Sequence, residues 1–380
     1  MLTHPNPRHY TPDHETFRAP VRRFVEREIL PHAAEWDEAG GFPRELYAKA
    51  AAAGLLGVGF PEEYGGTPAD HFYRVILAEE MGRSGSGGTC ASLMSHTIGL
   101  PPVVTGASPG LKTRILPGVL AGEKISALAV TEPGAGSDVA GIRTTARREG
   151  DEWVLNGTKM FITNGVHANL YFVAAKSGPG KREVSMFIVE KGTPGFSVGR
   201  ALKKTGWLSS DTAELVFDNV RIPAGNLLGE EGKGFYSVMK NFQTERIALA
   251  AMAVGHCTQA IRLTLDYVRQ RQAFGGPLWN QQTIRQRLSM LDAKTRAARA
   301  FLYQCAWRVT QGQDIVQDVS MLKALTGELV NEVVMTCQQF HGGMGFIRET
   351  AIERLWRDAR VLGIGGGATE VMLEEVAKRY

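Results

Sequence analysis

The most informative segment of the chain is Ala127-Leu-Ala-Val-Thr-Glu-Pro-Gly-Ala-Gly-Ser-Asp-Val-Ala-Gly141, in which an apolar run passes into closely spaced glycines, a hydroxyl and an acid. Glycine allows positive φ and a close approach of the backbone to a ligand. The hydroxyls of Thr131 and Ser137 can hydrogen-bond a polar ring edge or a thioester tail. We interpret the segment as a strand that ends in a polar cofactor-binding loop. The alternative is an ordinary glycine-rich turn.

Four further segments carry residues suited to binding or chemistry. They are Lys159-Met-Phe-Ile-Thr-Asn-Gly165, Arg271-Gln-Ala-Phe-Gly275, Gln339-Phe-His-Gly-Gly-Met-Gly-Phe346, and Arg357-Asp-Ala-Arg360 leading into Ile364-Gly-Gly-Gly-Ala-Thr-Glu370. In this order, and together with the first segment, they resemble the FAD-dependent acyl-CoA dehydrogenase family. The resemblance covers essentially the whole chain.

Composition excludes several classes of function. Of the 380 residues, 43% are hydrophobic and 22% are charged, which is ordinary for a soluble enzyme of two or three domains. The net charge of +4, with acids and bases interspersed, gives no electrostatic case for binding nucleic acid or a membrane surface. The sequence shows no stretch of 18 apolar residues and no leader-like start, so we expect a soluble, cytoplasmic protein.

Cysteine and histidine spacing gives no sign of a metal site. The nine histidines include no H-E-x-x-H or comparable cluster. The cysteines are far apart and form no C-x-x-C pair, which predicts buried free thiols in a reducing cytosol. They are Cys90, Cys257, Cys305 and Cys337.

Hydrophobic periodicity divides the chain into three parts. Residues 1–122 show helical spacing, residues 123–230 show short strand-like runs, and residues 231–380 return to long helical spacing. We therefore predict an α+β fold with an N-terminal α-helical domain, a middle β domain and a C-terminal helical bundle. The resemblance implies the same order, with a middle β-barrel or sandwich and a C-terminal four-helix bundle.

The element boundaries are also predicted. Asn156-Gly157 predicts a type I′ hairpin turn between residues 153–155 and 158–162, within a largely antiparallel β unit. Strands are predicted at 125–130, 153–155, 160–163, 170–174, 186–189 and 215–217. Helices of the C-terminal part are predicted at 235–271, 280–310, 315–340, 349–361 and 369–380.

Oxidation of an acyl thioester at Cα and Cβ needs an acceptor for a hydride, which no side chain can supply and a flavin can. The resemblance implies that Thr163 donates a hydrogen bond to the flavin N5 edge, and that Arg271 and Phe274 reach the FAD of a neighbouring subunit. The full set of cofactor-binding residues that it implies is Leu128, Val130, Thr131, Gly136, Ser137, Phe161, Ile162, Thr163, Arg271, Phe274, Gln282, Gln339, Gly342, Gly343, Gly367 and Glu370.

The catalytic base departs from the commonest family pattern. Most members carry Tyr-Glu-Gly-Thr before the last helix, with the glutamate as base, whereas this chain has Gly365-Gly-Gly-Ala368. Asn241-Phe-Gln-Thr-Glu-Arg-Ile-Ala-Leu-Ala250 resembles the second pattern, found in isovaleryl- and long-chain-type members, and this makes Glu245 the base. The alternative for Glu245 is a solvated helix glutamate paired with an arginine.

The remaining site residues are assigned from the same resemblance. Gly366 supplies a backbone N–H that polarises the thioester carbonyl. Ser137, Gln243 and Arg246 are assigned to the substrate. His341 is interpreted as a packed residue rather than a catalytic one.

Two further expectations concern the run of glycines near the C-terminus. Because residues 365–367 lack side chains, we expect open volume beside the reacting carbons, which favours branched or long acyl chains over butyryl. Gly363-Ile-Gly-Gly-Gly-Ala368 also fits half of a dinucleotide-binding fingerprint. We reject that interpretation because no strand–helix–strand unit surrounds it.

The resemblance implies dehydrogenation of an acyl-CoA to a trans-2-enoyl-CoA, with electrons passing to an electron-transfer flavoprotein, in a homotetramer. Two alternatives stay open on the same fold. One is a flavin monooxygenase or oxidase, and the other is a non-catalytic flavin-binding homologue. The sequence leaves the acyl chain undetermined.

Overall fold

The computed structural model describes residues 10–180 and 183–380, apart from the side chains at positions 237, 238 and 240. The part before the first strand is helical, as predicted. The first helix begins at Pro12, after Thr11, which has extended backbone angles suited to a helix start. The helices are α1 (Pro12–Phe24), α2 (Ala33–Ala39), α3 (Glu45–Ala52), α4 (His71–Gly82), α5 (Gly87–Ser95), α6 (Pro101–Gly106) and α7 (Pro109–Leu120).

The middle part forms one eight-stranded sheet. Its strand order is β6-β7-β3-β2-β4-β5-β8, and β1 pairs with β4 outside this path. The sheet is mixed rather than purely antiparallel, because β1 and β4 run parallel. The strands are β1 (Ser126–Ala129), β2 (Thr145–Glu149), β3 (Glu152–Thr163), β4 (Leu170–Lys176), β5 (Val184–Glu190), β6 (Phe196–Ala201), β7 (Thr212–Pro223) and β8 (Leu227–Leu228).

The predicted hairpin turn at Asn156-Gly157 is wrong. Both residues lie inside β3, and the turn of this hairpin lies instead between β2 and β3, beside the Glu149–Glu152 pair. The register of β3 against β7 shifts between Leu155 and Gly157, which marks a bulge. A side chain at Gly157 would collide with Thr144, so the glycine serves a close approach of two strands rather than a turn.

The C-terminal part is helical, and its helices begin and end within a few residues of their predicted bounds. A short two-stranded ribbon, β9 (Gln272–Ala273) and β10 (Gly276–Pro277), joins the first two of them. Helix α10 packs against all the others, and α4 lies along α8. The helices are α8 (Gly234–Gln270), α9 (Gln282–Thr310), α10 (Val316–Phe340), α11 (Ala351–Ala359) and α12 (Thr369–Ala377).

Among the described residues, no helix combines the length and the apolar character that crossing a bilayer requires.

Candidate active site

Glu245 lies in the fourth turn of α8 and is half-buried. Its Oε1 accepts a hydrogen bond of 2.8 Å from Asn241 Nδ2, one helical turn earlier. Burial raises the pKa of Glu245 to about 8, although the neighbouring Arg246 guanidinium acts in the opposite direction. A carboxylate with such a pKa is a competent base near neutral pH, which a solvated helix glutamate is not.

The glycine-rich segment after α11 lies against the next turn of the same helix. Gly366 has φ +66° and Gly367 has φ +111°, values that glycine adopts without strain. A side chain at position 366 would collide with Leu249 Cδ1, four residues after Glu245. The structure therefore brings Glu245 and Gly366 to the same end of α8.

The same contact corrects the expectation of open volume at Gly366. Leu249 occupies the space that a side chain at this position would need. At Gly367 a side chain would meet Met372, whereas at Gly365 it would meet Val361 only at ordinary contact distances. Neighbouring side chains have closed over part of the space left by the missing residues, as cavities in packed interiors usually do in part.

Lys323 of α10 lies beneath this segment and is fully buried. Its Nζ donates to Leu362 O at 2.6 Å and to Gly367 O at 3.1 Å. Burial lowers the pKa of Lys323 to about 8, and the Arg246 charge acts in the same direction. The lysine thus fixes both ends of the segment that presents Gly366.

The three residues assigned to the substrate differ in their surroundings. Arg246 is buried, burial lowers its pKa, and its Nε has no hydrogen-bond partner among the described residues. Gln243 is half-buried on the same helix, and Ser137 is exposed in the loop after β1. A buried arginine with an unused N–H is suited to a polar ligand group, because leaving it unpaired costs free energy.

The segments at 127–141 and 159–165 are joined directly. Met160 N donates to Thr131 O at 2.8 Å. Lys159 is fully buried, and its Nζ binds Val130 O at 2.9 Å and Glu132 Oε1 at 2.8 Å. Burial lowers the pKa of Lys159 to about 8 and Glu132 opposes this. The pair holds the start of the glycine-rich loop against β3.

Phe161 and Thr163 lie at the end of β3, next to this junction. Phe161 is 65% exposed and has φ +61°, at a point where the register of β3 shifts. A non-glycine residue with positive φ costs free energy and is common at functional sites. Thr163 is half-buried and is followed by Asn164, whose Nδ2 donates to Ser92 O at 3.0 Å.

Two residues assigned to the cofactor have buried side chains. Val130 and Ile162 are buried in the hydrophobic core. Only their backbone atoms are therefore available to a ligand. Leu128 and Thr131 are half-buried, and Gly136 is exposed with open space around it.

A second group of assigned residues gathers at the opposite end of α8. Tyr267 stacks on His341 with ring centroids 4.3 Å apart, and its hydroxyl donates to His341 O. Burial lowers the pKa of His341 to about 4, as expected for a packed histidine. Phe274, on the ribbon, is 89% exposed with φ +54°. The exposed members of this group are Arg271, Phe274, Gln282, Gln339, Gly342 and Gly343.

Glu245 and the second group of residues do not meet within one chain. Glu245 and Gln270 lie on one continuous helix, 25 residues apart. At 1.5 Å per residue this is about 38 Å, more than the diameter of a small domain. Gly367 and Glu370, in contrast, lie at the end of α8 that carries Glu245, and Glu370 is exposed at the start of α12.

The residues around β1 and β3 fit a flavin. An exposed aromatic ring, a half-buried hydroxyl and open glycines lie side by side, which suits an aromatic ring system with polar edges. A metal centre has no support: the described residues hold no group of three His, Cys, Asp or Glu side chains that could bind one. All four cysteines are buried and free, as predicted.

Sequence reasoning missed the roles of five residues of this site. Asn241 could have been found by its four-residue spacing from Glu245. Lys323, a lone charge in an apolar helix face, and the buried pair of Lys159 with Glu132 carried a weaker signal. The contact of Leu249 with Gly366 depends on tertiary packing, so the sequence carries no signal of it.

Comparisons with known proteins agree across the whole chain. Family models match for the acyl-CoA dehydrogenase N-terminal domain at residues 11–123, the middle domain at 127–220 and the C-terminal domain at 232–380. Long-chain specific acyl-CoA dehydrogenase of Mus musculus is 39% identical over 97% of this chain and 87% of its own length. Isovaleryl-CoA dehydrogenase of Oryza sativa is 36% identical over 94% of this chain and 88% of its own length. The crystal structure of acyl-CoA dehydrogenase from Geobacillus kaustophilus is 40% identical, with a TM-score of 0.93, and the match covers 98% of this chain and 99% of that one.

Proposed function

The chain belongs to the acyl-CoA dehydrogenase family, and from this premise we propose that Glu245 is the base that removes the α proton of an acyl-CoA. The observation that carries the proposal is the half-buried Glu245, whose carboxylate has a raised pKa and lies one helical turn from Leu249, the residue that Gly366 contacts. Position 366 itself has no titratable side chain. The resemblance of residues 241–250 to the base pattern of isovaleryl- and long-chain-type members supports this arrangement.

The chain supplies the following steps. The Glu245 carboxylate takes the α proton, and the Gly366 N–H polarises the thioester carbonyl, which makes that proton more acidic. Lys323 holds the segment of Gly366 in place, and Arg246 offers its unpaired N–H to the polar part of the substrate. Entry of the acyl chain expels water from Glu245, so the carboxylate is less solvated when it reacts.

FAD is the cofactor of this proposal. When bound, it accepts the hydride from Cβ, a step that no side chain can perform. Leu128, Thr131, Phe161 and Thr163 would hold the ring system, and Gly136 and Ser137 the neighbouring loop. Phe161, Gly136 and Ser137 are exposed and the other three residues are half-buried, so a ligand can reach them, which supports this placement.

A homo-oligomer, and specifically the homotetramer, is the second part of the proposal. The exposed Arg271 and Phe274 lie about 38 Å along α8 from Glu245, so they serve a cofactor bound mainly by another copy. We also propose an electron-transfer flavoprotein as the electron acceptor and a cytoplasmic location, which the four free cysteines support.

The test is anaerobic mixing of the FAD-loaded protein with butyryl-, octanoyl-, palmitoyl- and isovaleryl-CoA in a stopped-flow instrument. We expect the wild type to lose its yellow absorbance with at least one of these thioesters. Glu245→Gln should keep FAD and bind CoA thioesters but bleach about 100-fold more slowly or worse, because a positioned base contributes about 10²–10⁴.

Bleaching of Glu245→Gln at the wild-type rate would show that another group is the base. No bleaching of the wild type by any of the four thioesters would contradict the dehydrogenase proposal. The oxidase alternative is separated in the same instrument. Rapid reoxidation by O2 in the presence of product would favour it, whereas slow reoxidation by O2 and rapid reoxidation by an electron-transfer flavoprotein would not.

A further inference from the structure

Asn241 connects the base to the N-terminal part of the chain. Its side chain is buried, and its Nδ2 lies 2.8 Å from Glu245 Oε1 and 2.7 Å from Ile98 O. An amide nitrogen carries two hydrogens, so it can donate to both oxygens at once. The four-residue spacing on α8 places Asn241 and Glu245 on the same helix face.

The carbonyl of Ile98 is itself held firmly. Its segment begins at His96, whose ring is buried between Val119 O and Ser126 N. The next residue, Gly99, lies so close to Phe172 of β4 that a side chain there would collide with the ring. The residues on both sides of Ile98 are therefore fixed, His96 against α7 and β1 and Gly99 against β4, which limits the movement of the Ile98 carbonyl.

We propose that Asn241 is a positioning residue for the base, which ties one oxygen of the Glu245 carboxylate to the fixed carbonyl of Ile98. This inference rests on the proposed role of Glu245. The bond occupies Oε1 and leaves Oε2 without a hydrogen-bond partner among the described residues. One oxygen is thus held and the other is available to the α proton.

The hydrogen bond also acts on the charge of the carboxylate. An N–H donor favours the ionised form and so counteracts the effect of burial on the pKa of Glu245. The charged group that acts on Glu245 in the described part of the chain is Arg246. Without the Asn241 donor, Arg246 is the remaining group that lowers the pKa of Glu245 against the effect of burial.

The experiment measures the ionisation of Glu245 without substrate. The FAD-loaded protein is titrated from pH 5 to 10 by infrared difference spectroscopy, and the carboxyl band of Glu245 is assigned by its absence in Glu245→Gln. In Asn241→Leu we expect the pKa to rise by about one unit. Asn241→Asp, which keeps the shape of the side chain, should raise it further, because a second carboxylate disfavours ionisation of the first.

The matched control is Asn226→Leu. Asn226 is also a buried asparagine, and its Nδ2 donates to Ile188 O at 2.9 Å in the middle sheet. This variant should lose stability without moving the Glu245 band. Flavin reduction by a reactive acyl-CoA at pH 7.5 should slow about tenfold in Asn241→Leu and stay near wild type in Asn226→Leu.

An unchanged Glu245 pKa in both Asn241 variants, with FAD retained, would overturn the inference, whatever the activity. If Asn241→Leu fails to fold, the Asn241→Asp titration decides. Failure of the proposed function is recognised separately: in that case no acyl-CoA bleaches the wild type, whereas the infrared titration still reports whether Asn241 holds the carboxylate.

Discussion

Glu245 combines two properties that oppose each other near neutral pH. Burial raises its pKa to about 8, which makes the carboxylate a stronger base but leaves Glu245 protonated in most molecules at pH 7. We therefore predict that the rate of flavin reduction at low acyl-CoA concentration rises about tenfold between pH 7 and pH 9 and then levels off. Anaerobic stopped-flow measurements across this range check the prediction. A rate independent of pH would contradict it.

Thermal unfolding provides a control that needs no substrate. The folded pKa of Glu245 lies above its unfolded value of about 4.5, so its protonation stabilises the fold at low pH, and this contribution is lost as pH rises through about 8. Relative to wild type, Glu245→Gln should therefore gain about 2–4 °C in apparent Tm on going from pH 5 to pH 9. Other buried carboxylates, such as Asp358, titrate in both proteins and cancel in the difference.

Glu245 could be proposed as the base from the sequence alone because two observations met. Position 366 lacks a carboxylate, and the context around Glu245 resembles the alternative pattern. The roles of Asn241 and Leu249 could not be predicted. Each depends on a segment more than 100 residues away, at Ile98 or Gly366, and no local spacing encodes such contacts.

Helix α10 donates hydrogen bonds to the active-site segment through the side chain of Lys323. Lys323→Met keeps the length of the side chain but removes the donor to Leu362 O and Gly367 O. We predict that the free energy of unfolding falls by about 1–3 kcal/mol, because two carbonyls lose a charged partner. Flavin reduction should slow about tenfold, since Gly366 is no longer held in place. Thermal unfolding and stopped-flow bleaching measure the two effects.

Lys294→Met is the matched control. Lys294 is a half-exposed lysine of α9 that pairs with Glu332 of α10 at 2.7 Å. Exposed ion pairs contribute about 0–1 kcal/mol, so this variant should stay near wild type in both measurements. Equal behaviour of the two lysine variants would show that Lys323 has no special role at the active-site segment.

Helices were easier to predict than strands, for physical reasons. A long helix such as α8 repeats its apolar residues many times within one segment, so its bounds are clear. Strand β3 was divided in two because Asn156-Gly157 is typical of a hairpin turn, whereas here it forms a bulge imposed by close packing on Thr144. Strands β2 and β6 were missed because they are mostly exposed and lack an apolar run.

The parallel pairing of β1 with β4 shows the same limit for distant contacts. Ser126 pairs with Leu170, across 44 positions of chain. Register between distant strands is set by packing of whole faces rather than by any local turn. The sequence therefore predicts that these strands exist but not that they lie side by side.

Two groups of residues that we propose to serve the active site and its cofactor lie far apart along α8, which constrains how copies of the chain associate. Glu245 and Gly366 mark one end, and Arg271 and Phe274 mark the other, about 38 Å away. In a twofold-symmetric dimer each site can combine the first group of one copy with the second group of its partner. If one variant damages the first group and another variant damages the second group, a mixed dimer of the two has one site with both defects and one site with neither.

This leads to a complementation prediction. Glu245→Gln alone should lack the base, and Arg271→Ala alone should retain FAD poorly, because it removes a charge-assisted contact suited to the FAD diphosphate. In a mixed dimer one site has both defects, while the other has an intact Glu245 and the Arg271 of the partner. Random association makes half of the dimers mixed, so co-expressed variants should recover about a quarter of the wild-type bleaching amplitude. Separately purified proteins, mixed without exchange of subunits, serve as the control. If both groups served one site within each chain, every site of the mixed dimer would carry one of the two defects, and no recovery would be observed.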